Sequence, residues 1–279
     1  MQAAAANLRS LPLGGRARKQ LLPLCRRAAG VGSWARASTR GALAMASSSG
    51  AGAPPSAARP PTKSLLDGAY TLEDSLKWST GAVTIPEDDK ARMRELSEMQ
   101  GPKAWTYGEI EFAGVEALAG ELGGRATTEG AVLYDLGSGL GRMVIQVALD
   151  WGVAKAVGVE LSEQRHSRAV RALGQVEERL GGPLNAEMRN ANLLAVDVSD
   201  CTIAYLACTC WDADFMAEVL QKLQGVGGLQ WVVSTEPFAR EFGLDEGSFG
   251  LHLHRVSVLP MSWDDRWEVF IYRRGGGEQ

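Results

Sequence analysis

The sequence predicts an α/β fold, a doubly wound sheet of seven strands behind an N-terminal helical cap, and three observations carry that prediction. From Ala131 onward, short apolar runs alternate with longer amphipathic stretches, the pattern of βαβ units and a parallel sheet. A glycine-rich turn, Asp135-Leu136-Gly137-Ser138-Gly139-Leu140-Gly141, separates the first run from the first helical stretch. The last two runs follow each other with few residues between them, which calls for an antiparallel hairpin rather than another crossover.

Residues 1–66 carry ten Lys and Arg and no Asp or Glu, and they end in the low-complexity stretch SSSGAGAPPSAARPPTK, which has little to bury. This segment is set outside the fold. Its arginines, interspersed with Leu8, Leu11, Leu13, Leu21, Leu22 and Leu24, have the composition of a mitochondrial or plastid transit peptide. A disordered basic tail and an upstream extension with initiation at Met45 fit the same residues. The expectation is an organelle, with the nucleus as alternative.

Residues 67–130 read as the helical cap. Thr106-Tyr107-Gly108-Glu109 has the form of a capping box, followed by an apolar face of Ile110, Phe112, Val115, Leu118 and Leu122. The sheet domain then spans residues 131–274. Its strands are AVLYDL, KAVGVEL, a short third around Ala186 to Arg189, TIAYLAC and LQWVVST, closed by HRVSVLPMSW and WEVFIYRR. Helices are expected over MVIQVALDW, SEQRHSRAVRALGQVEERL and ADFMAEVLQKL.

Composition narrows the function. With 45% apolar residues the chain can bury a sizeable core, and no run approaches the ~18 uninterrupted apolar residues of a membrane span. Beyond residue 66 there are 19 basic against 33 acidic residues, a net charge of −14. Such a body repels phosphate backbones, so direct nucleic-acid binding is not expected and basic partners are. Cys25, Cys201, Cys208 and Cys210 make no disulfide framework. Cys208-Thr209-Cys210 lacks the spacing of a zinc or redox pair and His252-Leu253-His254 has no nearby partners, so no metal site is expected.

The glycine turn decides the ligand class. Its spacing is G-x-G-x-G with an aspartate directly in front, whereas a dinucleotide favours G-x-G-x-x-G and brings a pyrophosphate that Asp135 would oppose. S-adenosyl-L-methionine has no phosphate and carries a sulfonium and an ammonium, which an acid suits. Asp135, Gly137, Ser138 and Gly139 are therefore candidate cofactor residues. Glu160, nineteen residues after Gly141 at the end of Gly158-Val159-Glu160, can take ribose hydroxyls, and Asn192 stands where an amide could meet an adenine edge.

These residues resemble the disruptor-of-telomeric-silencing type of histone-lysine methyltransferase, within the class I, Rossmann-like seven-stranded methyltransferases. The resemblance runs over about residues 105–272. It rests on Thr106-Tyr107-Gly108-Glu109, on DLGSGLGRMVIQVA from Asp135, on Gly158-Val159-Glu160, on VVSTEPF and on VLPMSWDD. It implies methyl transfer to a lysine ε-amine of a basic protein, a histone or another. Asp135, Gly137 and Gly139 would hold the methionine part of the donor and Glu160 the ribose. Tyr107 and Glu109 would close over the cofactor, and Trp263 would help wall the lysine channel. The chain departs from the family after the fourth strand, where Ala207-Cys208-Thr209-Cys210-Trp211 replaces an asparagine pair and aromatics, leaving Thr209 as the nearest polar substitute. Phe270 stands for a tyrosine. Tyr107, Thr209 and Trp263 are the catalytic candidates. A small-molecule N-methyltransferase and a non-catalytic binder of the donor remain open alternatives.

Overall fold

A strand buried on both faces reads as a continuous apolar run, and a central parallel strand is buried that way because crossover helices cover both sides. In the computed structural model, which describes residues 59–71, 74 and 107–275, β1 (Val132–Leu136) is such a strand. It lies between β2 (Lys155–Glu160) and β4 (Ile203–Leu206), both parallel to it. The full order is β3-β2-β1-β4-β5-β7-β6, with β3 (Ala186–Asn190) at one edge and β5 (Trp231–Ser234) beyond β4. Only the closing hairpin breaks the parallel rule: β7 (Asp264–Arg274) runs antiparallel to β5, and β6 (Leu251–Met261) antiparallel to β7. The seven-stranded class I arrangement expected from the sequence is the one observed.

The strand order reverses between β1 and β4. At the carboxyl edge of such a reversal, open α/β sheets form the crevice in which they place ligands. Alternate strand residues feed two cores. Tyr134, Leu136, Val157, Val159, Ala204 and Leu206 pack under α6 (Ala213–Gln224), whose Phe215, Met216, Val219, Leu220 and Leu223 form one apolar stripe. Leu133, Ala156, Ile203, Tyr205 and Val233 pack on the opposite face with α4 (Arg142–Asp150) and α2 (Phe112–Glu121). Helix caps follow local chemistry: Asp212 accepts the Phe215 amide at 2.9 Å to open α6, and Ser162 opens α5 (Glu163–Leu180). A short α3 (Arg125–Thr128) leads into β1.

The fold reaches further toward the N-terminus than its low-complexity sequence suggests. Helix α1 (Thr62–Ala69) begins inside the stretch set outside the fold at residue 66, and its Leu65, Leu66 and Ala69, with Tyr70, pack on Leu140, Ile145, Leu149, Ala172 and Val176 of α4, its preceding loop and α5. Arg59 donates to the Leu149 carbonyl at 3.0 Å, and buried Asp74 pairs with Arg168 and Arg171. Residues 1–58, with the expected transit segment, lie outside the described residues. Leu65→Ala should therefore lower unfolding free energy by about 2 to 4 kcal/mol, the range for an emptied leucine site. Chemical denaturation checks this, and a loss below ~0.5 kcal/mol would mean that α1 is not docked.

Candidate functional site

Asp135 is the fourth residue of β1, in register with Gly158 of β2 and Tyr205 of β4, which sets its carboxylate at the crevice. It is 4% exposed, and burial, then the nearby Glu160 and Glu109 carboxylates, pushes its pKa up to about 8. The loop after it turns back under β2: the Gly137 and Ser138 amides both donate to the Val159 carbonyl, at 2.9 and 3.0 Å. Ser138 thus faces Gly158, where any Cβ would meet its hydroxyl at 2.7 Å. Glu160, 6% exposed, accepts the Gly139 amide on one oxygen and the Ser162 amide on the other, each at 2.8 Å. Each oxygen keeps a second lone pair free for a ligand hydroxyl.

Gly139 is where the backbone must be bare. Its φ of +54° disfavours a side chain, and a Cβ would stand 2.5 Å from the Tyr107 ring that lies over it. Tyr107 is held there by a relay. Its hydroxyl donates to Glu109 Oε2, Glu109 Oε1 pairs with Arg142 Nε at 3.1 Å, and the Arg142 guanidinium lies 3.9 Å from the centroid of Tyr70. Tyr70 donates in turn to the Leu140 carbonyl at 2.8 Å, closing the relay on the glycine loop. Burial raises the pKa of Tyr107 and Glu109, with Arg142 opposing the rise at both.

This corrects the capping-box reading. Helix α2 starts at Phe112 with Glu111 as its N-cap, so Glu109 caps nothing and serves Tyr107 and Arg142 instead. Thr106 lies outside the described residues. Ile110 is likewise not on the helix but bridges to Met261 of β6, while the Glu109 amide donates to Ser262 Oγ at 3.0 Å. The Tyr107–Glu111 segment is thereby pinned to the closing hairpin.

Trp263, in that hairpin's turn, packs against Gly108, where any Cβ would collide with its ring, and edge-on against Trp267 at 5.7 Å. Trp267 Nε1 donates to the Thr235 carbonyl at 2.9 Å. Thr235 Oγ1 lies 3.1 Å from Thr209 Oγ1, and Glu236 lies beside Thr209. Two residues on, the Trp211 indole would lie 3.8 Å from a Cβ on Gly137. The three catalytic candidates, Tyr107, Thr209 and Trp263, are therefore brought into one circuit around the crevice. Asn192 sits at the turn after β3, its Oδ1 accepting the Leu194 amide at 2.9 Å, which leaves its amide nitrogen to donate to a ligand. Phe238, at the end of VVSTEPF, is core: it is buried and stacked on Tyr272 at 4.1 Å. Residue-by-residue reading passed over Tyr70, Arg142, Trp267 and Glu236. For Glu236 a signal existed, an acid directly after the fifth strand.

Three buried or half-buried carboxylates, Asp135, Glu160 and Glu109, thus surround the start of α4, a helix end that ordinarily attracts anions. Such a site favours a cation. A carboxyl with a higher pKa in the folded chain retains a proton that the unfolded chain has lost, so Asp135 makes folding stability fall as pH rises from about 4 to about 8. Asp135→Asn should flatten that decline in urea titrations across this range; an unchanged slope would remove Asp135 as its source.

Comparison with known proteins gives three findings. The family model described as histone methylation protein DOT1 matches residues 90–243, more than half of the chain. A protein-lysine N-methyltransferase of Saccharolobus islandicus (strain REY15A) is 38% identical over 72 residues, 26% of this chain and 42% of that protein, so the chain spans less than half of that relative's length. Among solved structures, an RNA methyltransferase from Salinibacter ruber in complex with S-adenosyl-L-homocysteine is similar with a TM-score of 0.41 and 23% identity, covering 59% of this chain and 92% of that one. Magnesium protoporphyrin IX methyltransferase from Synechocystis PCC 6803 with bound SAM has a TM-score of 0.48 and 14% identity, covering 78% and 99%.

Proposed function

The chain belongs to the family of the histone methylation protein DOT1, and on that premise we propose that it is an S-adenosyl-L-methionine-dependent methyltransferase acting on a lysine ε-amine of a basic protein. The observation that carries this reading is the trio of carboxylates, Asp135, Glu109 and Glu160, around a glycine loop covered by Tyr107. The donor fits these residues: Asp135 and Glu109 offset its ammonium and sulfonium, Glu160 offers free lone pairs to the ribose, and Gly137 and Gly139 leave room for its backbone-side approach. Asn192 has an amide nitrogen to present to the adenine. When bound, the donor supplies an electrophilic methyl carbon.

The residues of this chain do the rest by positioning and by excluding water. A lysine with a solution pKa of ~10.4 must lose its proton, which costs roughly 4 to 5 kcal/mol at pH 7. Aromatic walls from Tyr107, Trp211, Trp263 and Trp267 disfavour the ammonium and lower that cost. The acidic body, −14 beyond residue 66, favours a basic protein partner over a nucleic acid. Ala207–Trp211, where the family's asparagine pair is replaced, favours a second reading, a small amine as acceptor. The acid-free segment of residues 1–66 supports delivery to a mitochondrion or plastid, with the nucleus as alternative; imaging a fluorescent fusion tests it.

Calorimetric titration with S-adenosyl-L-methionine should show saturable binding with release of a fraction of a proton at pH 7, read from two buffers of different ionisation enthalpy. The positive donor lowers the Asp135 pKa, so Asp135→Asn should abolish the release. Gly139→Ala should weaken binding at least tenfold while far-ultraviolet circular dichroism stays unchanged. Tritiated donor incubated with cell extract should label protein bands. Label in a small-molecule fraction would favour the second reading, and binding without transfer would remove both.

A further inference from the structure

The circuit of contacts around the crevice holds one ionisable side chain that donor binding leaves unused. Glu236 follows β5 directly, and its backbone is pinned: its amide donates to Ser234 Oγ at 3.2 Å, and Ser234 Oγ donates to its carbonyl at 2.7 Å. Its neighbour Thr235 donates its amide to Leu206 at the end of β4 and receives the Trp267 indole on its carbonyl. The Glu236 carboxylate lies beside Thr209, whose hydroxyl is 3.1 Å from that of Thr235 and which stands two residues before Trp211, whose ring lies beside Gly137. A half-buried acid thus follows Thr235, the residue that joins Trp267 of the hairpin to Thr209 of the turn before Trp211, on a turn with little freedom to move.

We propose that Glu236 receives the cationic head of the acceptor amine and accepts its proton, with Thr209 positioning the carboxylate; this deepens the methyltransferase reading and rests on it. In the step, an N–H bond of the ammonium breaks and an O–H bond forms on Glu236. The freed nitrogen lone pair then makes the new C–N bond as the methyl carbon leaves sulfur, whose bonding electron pair stays behind on the sulfur. Thr209, and not the asparagine pair of the family, supplies the polar contact, so the altered segment and the acid after β5 are one device.

The surroundings suit the task. Burial, and then Glu241, pushes the Glu236 pKa up to about 7, with the neighbouring Thr209 hydroxyl and Arg240 opposing. Cys208 lies behind it, bonded to Ser234, and Arg240 is shared with Glu268 of β7 at 3.7 Å. A base with a pKa near the working pH is best matched to proton transfer.

The test uses the full chain, uniformly carbon-13 labelled, with the Glu236 carboxyl resonance assigned by its loss in Glu236→Gln. That resonance should titrate near pH 7, and its midpoint should fall when millimolar n-butylammonium, a lysine side-chain mimic, is added. A midpoint in the ordinary range of 4 to 5, or one indifferent to the amine, overturns the proposal whatever the activity. In parallel, Glu236→Gln should lower the transfer rate to a lysine peptide on the order of 100-fold and remove one ionisation from the pH–rate profile, with Glu236→Asp partly restoring both. Donor affinity, measured by calorimetry on the same samples, should be unchanged. A chain that binds no donor refutes the function proposed above; normal donor binding with a wild-type rate and profile in Glu236→Gln refutes only the role of Glu236.

Discussion

Both oxygens of Glu160 are taken by backbone amides, Gly139 on one side and Ser162 on the other, and much of the site's shape depends on that one buried carboxylate. Gly139 stands at the middle of the glycine loop, and Ser162 is the residue whose hydroxyl caps α5. The same side chain therefore sets how far the loop turns under β2 and where an 18-residue helix begins. Once the loop is fixed, Tyr107 has one surface to lie on, and Tyr107 fixes Glu109, Arg142 and Tyr70 in sequence. A charged hydrogen bond of this kind contributes roughly 1.5 to 3 kcal/mol, which is enough to decide between loop conformations.

Electrostatics pull the other way. Three acids near one helix start repel one another, and burying them costs more than leaving them in water. The fold offsets part of this by bringing Arg142 to Glu109 and by letting Asp135 keep its proton. What remains is strain that a cation relieves. Binding at such a site is favoured twice, by the attraction itself and by the repulsion it removes, so a site costly to fold becomes selective for a positive ligand.

The sheet was legible in the sequence because central strands are buried on both faces, and AVLYDL or LQWVVST reads as a mainly apolar run whatever surrounds it. The edge was less so: β6 begins at Leu251, three residues before HRVSVLPMSW, because His252, His254 and Arg255 face solvent and a bulge between Leu253 and Arg255 breaks the alternation. Helix α1 was hidden by the Pro- and Ala-rich run that leads into it, since Leu65 and Leu66 gain their meaning from Leu140 and Leu149, far away in sequence. Asp135, the glycines and Glu160 were legible because their places at the sheet edge follow from spacing along two strands. Glu109 was legible only through the family resemblance, because its partner Arg142 is set by tertiary packing and a local motif offered an easier explanation.

On the function proposed above, that difference separates two kinds of functional residue in this chain. The donor side is built on strand ends, where register alone brings Asp135 opposite Gly158 and carries Glu160 to the same edge. The acceptor side is built from three turns that meet only in the folded chain: Tyr107–Gly108 from the cap, Thr209–Trp211 after β4, and Trp263 in the hairpin, with Thr235 and Trp267 joining the last two. Rigid strand ends suit a ligand whose shape never changes. Turns can exchange residues without disturbing the sheet, and the turn from Ala207 to Trp211 lies between β4 and β5, which keep their register from Ile203 to Ser234 whatever the turn carries. Specificity for the acceptor can therefore change by substitution in the turns while the donor site, tied to the core through Glu160, stays as it is.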